Sequence, residues 1–132
     1  MKHFTLTELT RSATARRLGI DNTPPDSAVA ALVQLVDTVL DPLREAWGAP
    51  IYVSSGYRCP ALNRAVGGAV RSQHLLGEAA DVSTGSREGN RRLWQLLQEL
   101  HLPVDQVINE HNFRWLHISH GARNRRQFLA IG

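Results

Sequence analysis

The apolar residues of this chain change their spacing near Pro50, and that change restricts the folds open to it. Before it, Val29, Leu32, Val36, Val39, Leu40, Leu43 and Trp47 recur at three and four residues, which places them on one stripe of a long helix ended by Gly48. Pro42 lies late in that helix and removes a backbone donor, so a kink or an early stop is expected there. After Pro50, Ile51-Tyr52-Val53-Ser54-Ser55 is β-branched and aromatic and closes on Gly56, the texture of a strand. Upstream, Thr5-Leu6-Thr7-Glu8 has the form of a capping box, and a short helix is expected from it to about Leu18, stopped by Gly19. The breaker cluster Asp21 to Asp26 separates the two helices, and Ser27 is placed to cap the second.

Residues 57–80 carry little periodicity. Gly67, Gly68 and Gly77 make the stretch a shaped loop with one turn of helix at Ala61 to Ala65, and a loop this long inside a compact domain is usually functional. Asp81-Val82-Ser83 then reads as a short strand. Glu88 to Leu100 reads as a helix with Leu93, Leu96, Leu97 and Leu100 inward, followed by paired strands at Val104 to Glu110 and Trp115 to Ser119. This order predicts one α+β domain over residues 1–132, with a small, mainly antiparallel sheet packed against the N-terminal helices.

Composition closes off several functional classes. A single Cys59 excludes an intrachain disulfide framework and a Cys-rich zinc module. Fifteen Lys and Arg against twelve Asp and Glu leave a net charge of only +3, compatible with an anionic partner without identifying one. Arg87, Arg91, Arg92, Arg123, Arg125 and Arg126 lie late in the chain and read as a solvated face. They lack aromatic interleaving and no helix carries an unbroken basic face, so no nucleic-acid partner is expected. No apolar run approaches the roughly 20 residues of a membrane span. Met1 to Leu9 alternates polar and apolar residues, so the expectation is synthesis in the cytoplasm without a secretory signal.

The chemistry concentrates in Ser72-Gln73-His74-Leu75-Leu76-Gly77-Glu78-Ala79-Ala80-Asp81 and Trp115-Leu116-His117. Two imidazoles and a carboxylate are the ligand set of a catalytic zinc that keeps a position open, although other first-row ions accept the same set. On a straight helix His74 and Asp81 would stand about 10 Å apart along the axis, whereas ligands of one ion lie within about 3–4 Å of each other. The chain must therefore fold back between them. Gly77 can supply the reversal, and Ala79 and Ala80 permit close packing behind Asp81. If His111-Asn112-Phe113-Arg114 closes a hairpin, Glu110 faces Trp115 and Ile108 faces His117. Glu110 and His117 then share a face about 7–8 Å apart, a suitable distance for a general base beside a metal ligand, while Leu116 and Ile118 face the helices. Singly, each residue has a plainer explanation: a core or surface histidine, a strand-end cap, an ion-pair partner. Their combination with a glycine-shaped loop points to a site.

At these residues the chain resembles the zinc D-alanyl-D-alanine carboxypeptidase and LD-endopeptidase family of peptidoglycan peptidases, in its short, single-domain, endolysin-like branch. The SxHxxGxAxD pattern stands at Ser72, His74, Gly77, Ala79 and Asp81, and WxH at Trp115 to His117. Ser54-Ser55-Gly56-Tyr57-Arg58-Cys59-Pro60, with Asn63, Gly67 and Gly68, is similar to the family's SGYR segment and the loop after it. The opening Phe4 to Leu9, with Ser12 and Ala15, extends the likeness over almost the whole chain.

The resemblance implies one zinc ion on His74, Asp81 and His117, and Arg58 binding a substrate carboxylate. Ser72 and Trp115 would adjoin the site on the substrate side. The partner implied is the peptide stem of bacterial peptidoglycan, cut by a protein expected to act as a monomer on the cell wall after phage-type release or delivery. Many members place the catalytic acid three residues before the last histidine, where this chain has Arg114, which cannot take up a proton. The base role therefore falls to Glu110, with His111 and His120 as candidates for stabilising an oxyanion. The alternative is a non-catalytic peptidoglycan-binding module of the same fold.

Overall fold

The computed structural model describes residues 1–132. Thr5 caps the first helix, α1 (Leu6–Thr10), its hydroxyl accepting from the Glu8 amide at 3.2 Å. The single helix expected up to Leu18 is two. Arg11 is extended, and the Ser12 hydroxyl accepts from the Ala15 amide at 3.1 Å to start α2 (Ala13–Leu18), which ends on left-handed Gly19 as expected. A serine that can bond the backbone ahead of it favours a fresh N-terminus over continuation.

The apolar stripe forms α3 (Asp26–Leu35), one π-helical turn (Val36–Leu40) and α4 (Asp41–Trp47). The cap lies at extended Pro25, not at Ser27, which sits inside the first turn. The disturbance expected from Pro42 takes the form of the wide turn. The Asp41 amide reaches back five residues to the Val36 carbonyl, and Pro42, which has no amide to offer, begins the next helix without a break. Leu32, Leu35, Val36, Val39, Leu40 and Leu43 along this stripe are fully buried and form the centre of the core.

Five strands follow: β1 (Tyr52–Ser55), β2 (Ala79–Ser83), β3 (Gln106–Glu110), β4 (Trp115–Ser119) and β5 (Gln127–Ile131), in sheet order β1-β2-β4-β3-β5. All neighbours are antiparallel except β3 and β5. Between them lie α5 (Pro60–Ala65), a 3-10 turn at Gln73–Leu76, and α6 (Arg87–Glu99). Ala80, Val82, Val107, Leu116 and Ile118 are buried on the core side of the sheet, so Asp81, Ile108, Glu110 and His117 take the opposite face by period-two alternation. On α6, Leu93 and Leu97 are buried and Leu96 packs at the core's edge. Leu100 is exposed, contrary to expectation, because the helix stops at Glu99. No helix is long and apolar enough to cross a membrane.

The hairpin has the anticipated register, Glu110 opposite Trp115 and Ile108 opposite His117. Its loop holds His111, Asn112 and Phe113 at φ 50, 55 and 61, left-handed conformations that cost energy for residues with a Cβ. Buried Asn90 holds the turn in place, donating through Nδ2 to the carbonyls of Phe113 and Arg114 at 2.9 and 3.1 Å.

Candidate active site

One row across the sheet sets the site. Ser55 pairs with Asp81, Asp81 with His117, and His117 with Ile108, so their side chains line up on the face away from the core. His74 reaches the row from the 3-10 turn. Ser72 caps that turn by accepting from the His74 amide at 3.2 Å, and Gly77 ends it at φ 75. Gly77 also lies so close to α3 that a Cβ would stand 2.4 Å from the Ala28 carbonyl oxygen, so the reversal between His74 and Asp81 requires glycine on two counts.

The three sequence-predicted ligands meet. Asp81 Oδ1 lies 3.2 Å from His74 Nε2 and 3.1 Å from His117 Nδ1, and the two rings stand edge to face with centroids 5.0 Å apart. Ligating atoms about 2 Å from a tetrahedral ion are separated by roughly 3.3 Å, so the spacing suits one small cation. The donor chemistry agrees. His74 Nδ1 lies 2.6 Å from the Gly56 carbonyl oxygen, which can only accept, so Nδ1 carries a proton and Nε2 is the ring nitrogen turned toward Asp81. A ring nitrogen facing a carboxylate needs a proton or a cation between them. Burial opposes charge on Asp81, but the His117 and His74 imidazoles in contact with it outweigh that and hold the carboxyl well below the usual range.

Arg58 has a position the sequence did not disclose. Its Nη2 donates to Asp81 Oδ2 at 3.3 Å, Nε to Ser55 Oγ at 3.0 Å and Nη1 to Asn63 Oδ1 at 3.2 Å. Asp81 thus presents one oxygen to both imidazoles and the other to a guanidinium. Gly68 closes over this group, where a Cβ would fall 2.0 Å from Asn63 Oδ1.

A cavity of about 640 Å³ opens above the row, and Arg58, Ser72, His74, Asp81, Glu110, Trp115 and His117 all line it. Glu110 Oε2 accepts from the Trp115 indole at 2.8 Å, so this tryptophan positions the carboxylate. His111 packs on Trp115 and also lines the cavity. His120 is elsewhere, its Nδ1 bonded to the Pro103 carbonyl at 2.6 Å. Arg114 is exposed on another face, beside Ser83, Ser86 and Arg87.

Sequence reasoning missed Gln106, Arg71, Arg123 and Arg125 as cavity walls. Gln106 was within reach, since it continues the period-two series of Ile108 and Glu110. Arg125 is held by buried Asp105, donating through Nε to Oδ1 at 2.8 Å and Nη2 to Oδ2 at 3.0 Å. The Arg125 hydrogen bond lowers the Asp105 carboxyl from 3.8 to about 2. A carboxyl depressed in the folded state contributes stability above its unfolded pKa and loses it as pH falls through the folded one. Acid unfolding followed by circular dichroism is therefore expected to show a stability loss between pH 3.8 and about 2 that is smaller in Asp105→Asn.

The Peptidase M15 family model matches residues 2–119 of this chain. Over 49 residues, 36% of the chain, the sequence is 45% identical to the zinc D-Ala-D-Ala carboxypeptidase of Streptomyces albus G, of which the match spans 19%. With a match that runs from the first helix through the strand carrying His117, the chain belongs to the Peptidase M15 family.

Proposed function

We propose that the protein is a zinc-dependent peptidase that hydrolyses an amide bond in the peptide stem of bacterial peptidoglycan, in the manner of a D-Ala-D-Ala carboxypeptidase or an endolysin-like endopeptidase. The observation that carries this reading is the convergence of His74, Asp81 and His117 in a cavity that also holds Glu110 and Arg58. His74, Asp81 and His117 would hold the zinc ion, and the chemistry it would supply when bound is Lewis acidity toward a carbonyl oxygen and a water pKa lowered toward about 7.

The chain's own residues supply the remainder. Glu110 Oε1, the oxygen not engaged by Trp115, takes the proton of the attacking water as the carbon–oxygen bond forms. It returns that proton to the amide nitrogen as the carbon–nitrogen bond breaks, so the leaving group departs as a neutral amine. Arg58 spends three of its five N–H donors on Ser55, Asn63 and Asp81. Two remain, one on each terminal nitrogen, and these can grip a substrate carboxylate.

The test is digestion of purified peptidoglycan by zinc-loaded protein, with released amines and fragment masses as the readout. New amines are expected, lost on chelation and restored by zinc. Retention on the wall without new amines would overturn the peptidase reading in favour of a binding module.

A further inference from the structure

The cavity has two chemically different ends. Along β3, Gln106, Ile108 and Glu110 all line it, and Ile108 sits in the row of the metal ligands. Glu110 therefore lies about 7 Å to one side of that row and Gln106 about 7 Å to the other, at roughly 3.4 Å per residue. The β4–β5 loop is fastened to the Gln106 end. Asp105 holds Arg125, and the Arg126 amide donates to the Val104 carbonyl at 3.0 Å.

Arg123 belongs to this loop. Four arginines line the cavity against only two carboxylates, Asp81 and Glu110. Arg58 is neutralised by Asp81 and Arg125 by Asp105, whereas the guanidinium groups of Arg71 and Arg123 have no ion-pair or hydrogen-bond partner in the protein. Both residues are exposed at the cavity wall, Arg123 near enough to Asp105 to help lower its carboxyl, and a planar fork without a hydrogen-bond partner suits an oxyanion. An extended peptide presents side chains i and i+2 on the same side about 7 Å apart, which is the step from the ligand row to the Gln106 end.

We infer that Arg123, together with Arg71, forms a second anion subsite for a side-chain carboxylate two residues before the residue that carries the scissile carbonyl, so that stem peptides acidic at that position are preferred. The inference rests on the peptidase reading for the location of that bond.

The experiment uses acetyl-Glu-Ala-D-Ala-D-Ala and acetyl-Gln-Ala-D-Ala-D-Ala with a methylated, uncleavable scissile nitrogen, titrated calorimetrically into zinc-loaded protein. The Glu peptide is expected to bind about tenfold more tightly, the effect of one charge-assisted hydrogen bond. In Arg123→Gln the preference falls below about twofold, with affinity for the Gln peptide unchanged. Equal affinities in the unaltered protein, or a preference that survives in both Arg123→Gln and Arg71→Gln, would overturn the subsite. Unmethylated versions of the same peptides test the hydrolysis separately: cutting both at one rate alongside equal binding removes only the subsite, whereas cutting neither, with no new amines from purified peptidoglycan, removes the peptidase reading.

Discussion

Asp81→Ala is expected to strip the protein of zinc and of hydrolysis together. Asp81 Oδ1 is shared by both imidazoles, so its loss removes one ligand and the group that gathers the other two. Mutating outer partners of a metal site already costs about 10–100-fold in affinity, and loss of a ligand should exceed that. Metal analysis after gel filtration should show well under about a tenth of an equivalent in Asp81→Ala, against one in the unaltered protein. The half-buried Arg58 guanidinium also loses its carboxylate, so a lower melting temperature is expected even in the metal-free state. A full equivalent of zinc bound to Asp81→Ala would show that the ion sits elsewhere.

The second large effect separates chemistry from binding. Glu110→Gln keeps the hydrogen bond from Trp115 and leaves the three ligands intact, so zinc content and KM should hold while kcat falls by roughly 10²–10⁴, the contribution of a positioned acid–base group. Arg114→Ala serves as the control. Arg114, three residues before His117, lies outside the cavity, and its removal should leave kcat within about twofold. A Glu110→Gln rate within tenfold of the original would assign the proton transfer to another group.

The parts of the fold that local rules govern could be read from the residues. The hairpin register follows from period-two alternation and the four residues between Glu110 and Trp115, and it puts Glu110 and His117 on one face. The reversal at Gly77 followed from the distance that His74 and Asp81 had to close. What escaped depended on tertiary partners. The strand β5 is an edge strand, parallel to β3, with Leu129 and Ile131 exposed and only Phe128 packed against the core, so it carries no alternating signature. The π turn arises from fitting Pro42 into a buried helix, and spacing alone cannot choose between widening and stopping. The substrate carboxylate expected at Arg58 follows from the family resemblance, and the chemistry of arginine suits it. The hold of Arg58 on Asp81 depends on Ser55 and Asp81 being paired across two strands.

The bond between Gly56 and His74 ties the metal centre to a part of the chain far from it. The Tyr57 amide donates to the Leu9 carbonyl at 2.8 Å, and a Cβ on Gly56 would collide with that same carbonyl, so the end of α1 grips the peptide unit whose oxygen orients His74. A shortened version that begins after Thr10 would keep every ligand yet leave the first imidazole free to swivel. The opening helix is thus a brace for His74, and trimming this terminus is expected to loosen the imidazole on which the proposed site depends.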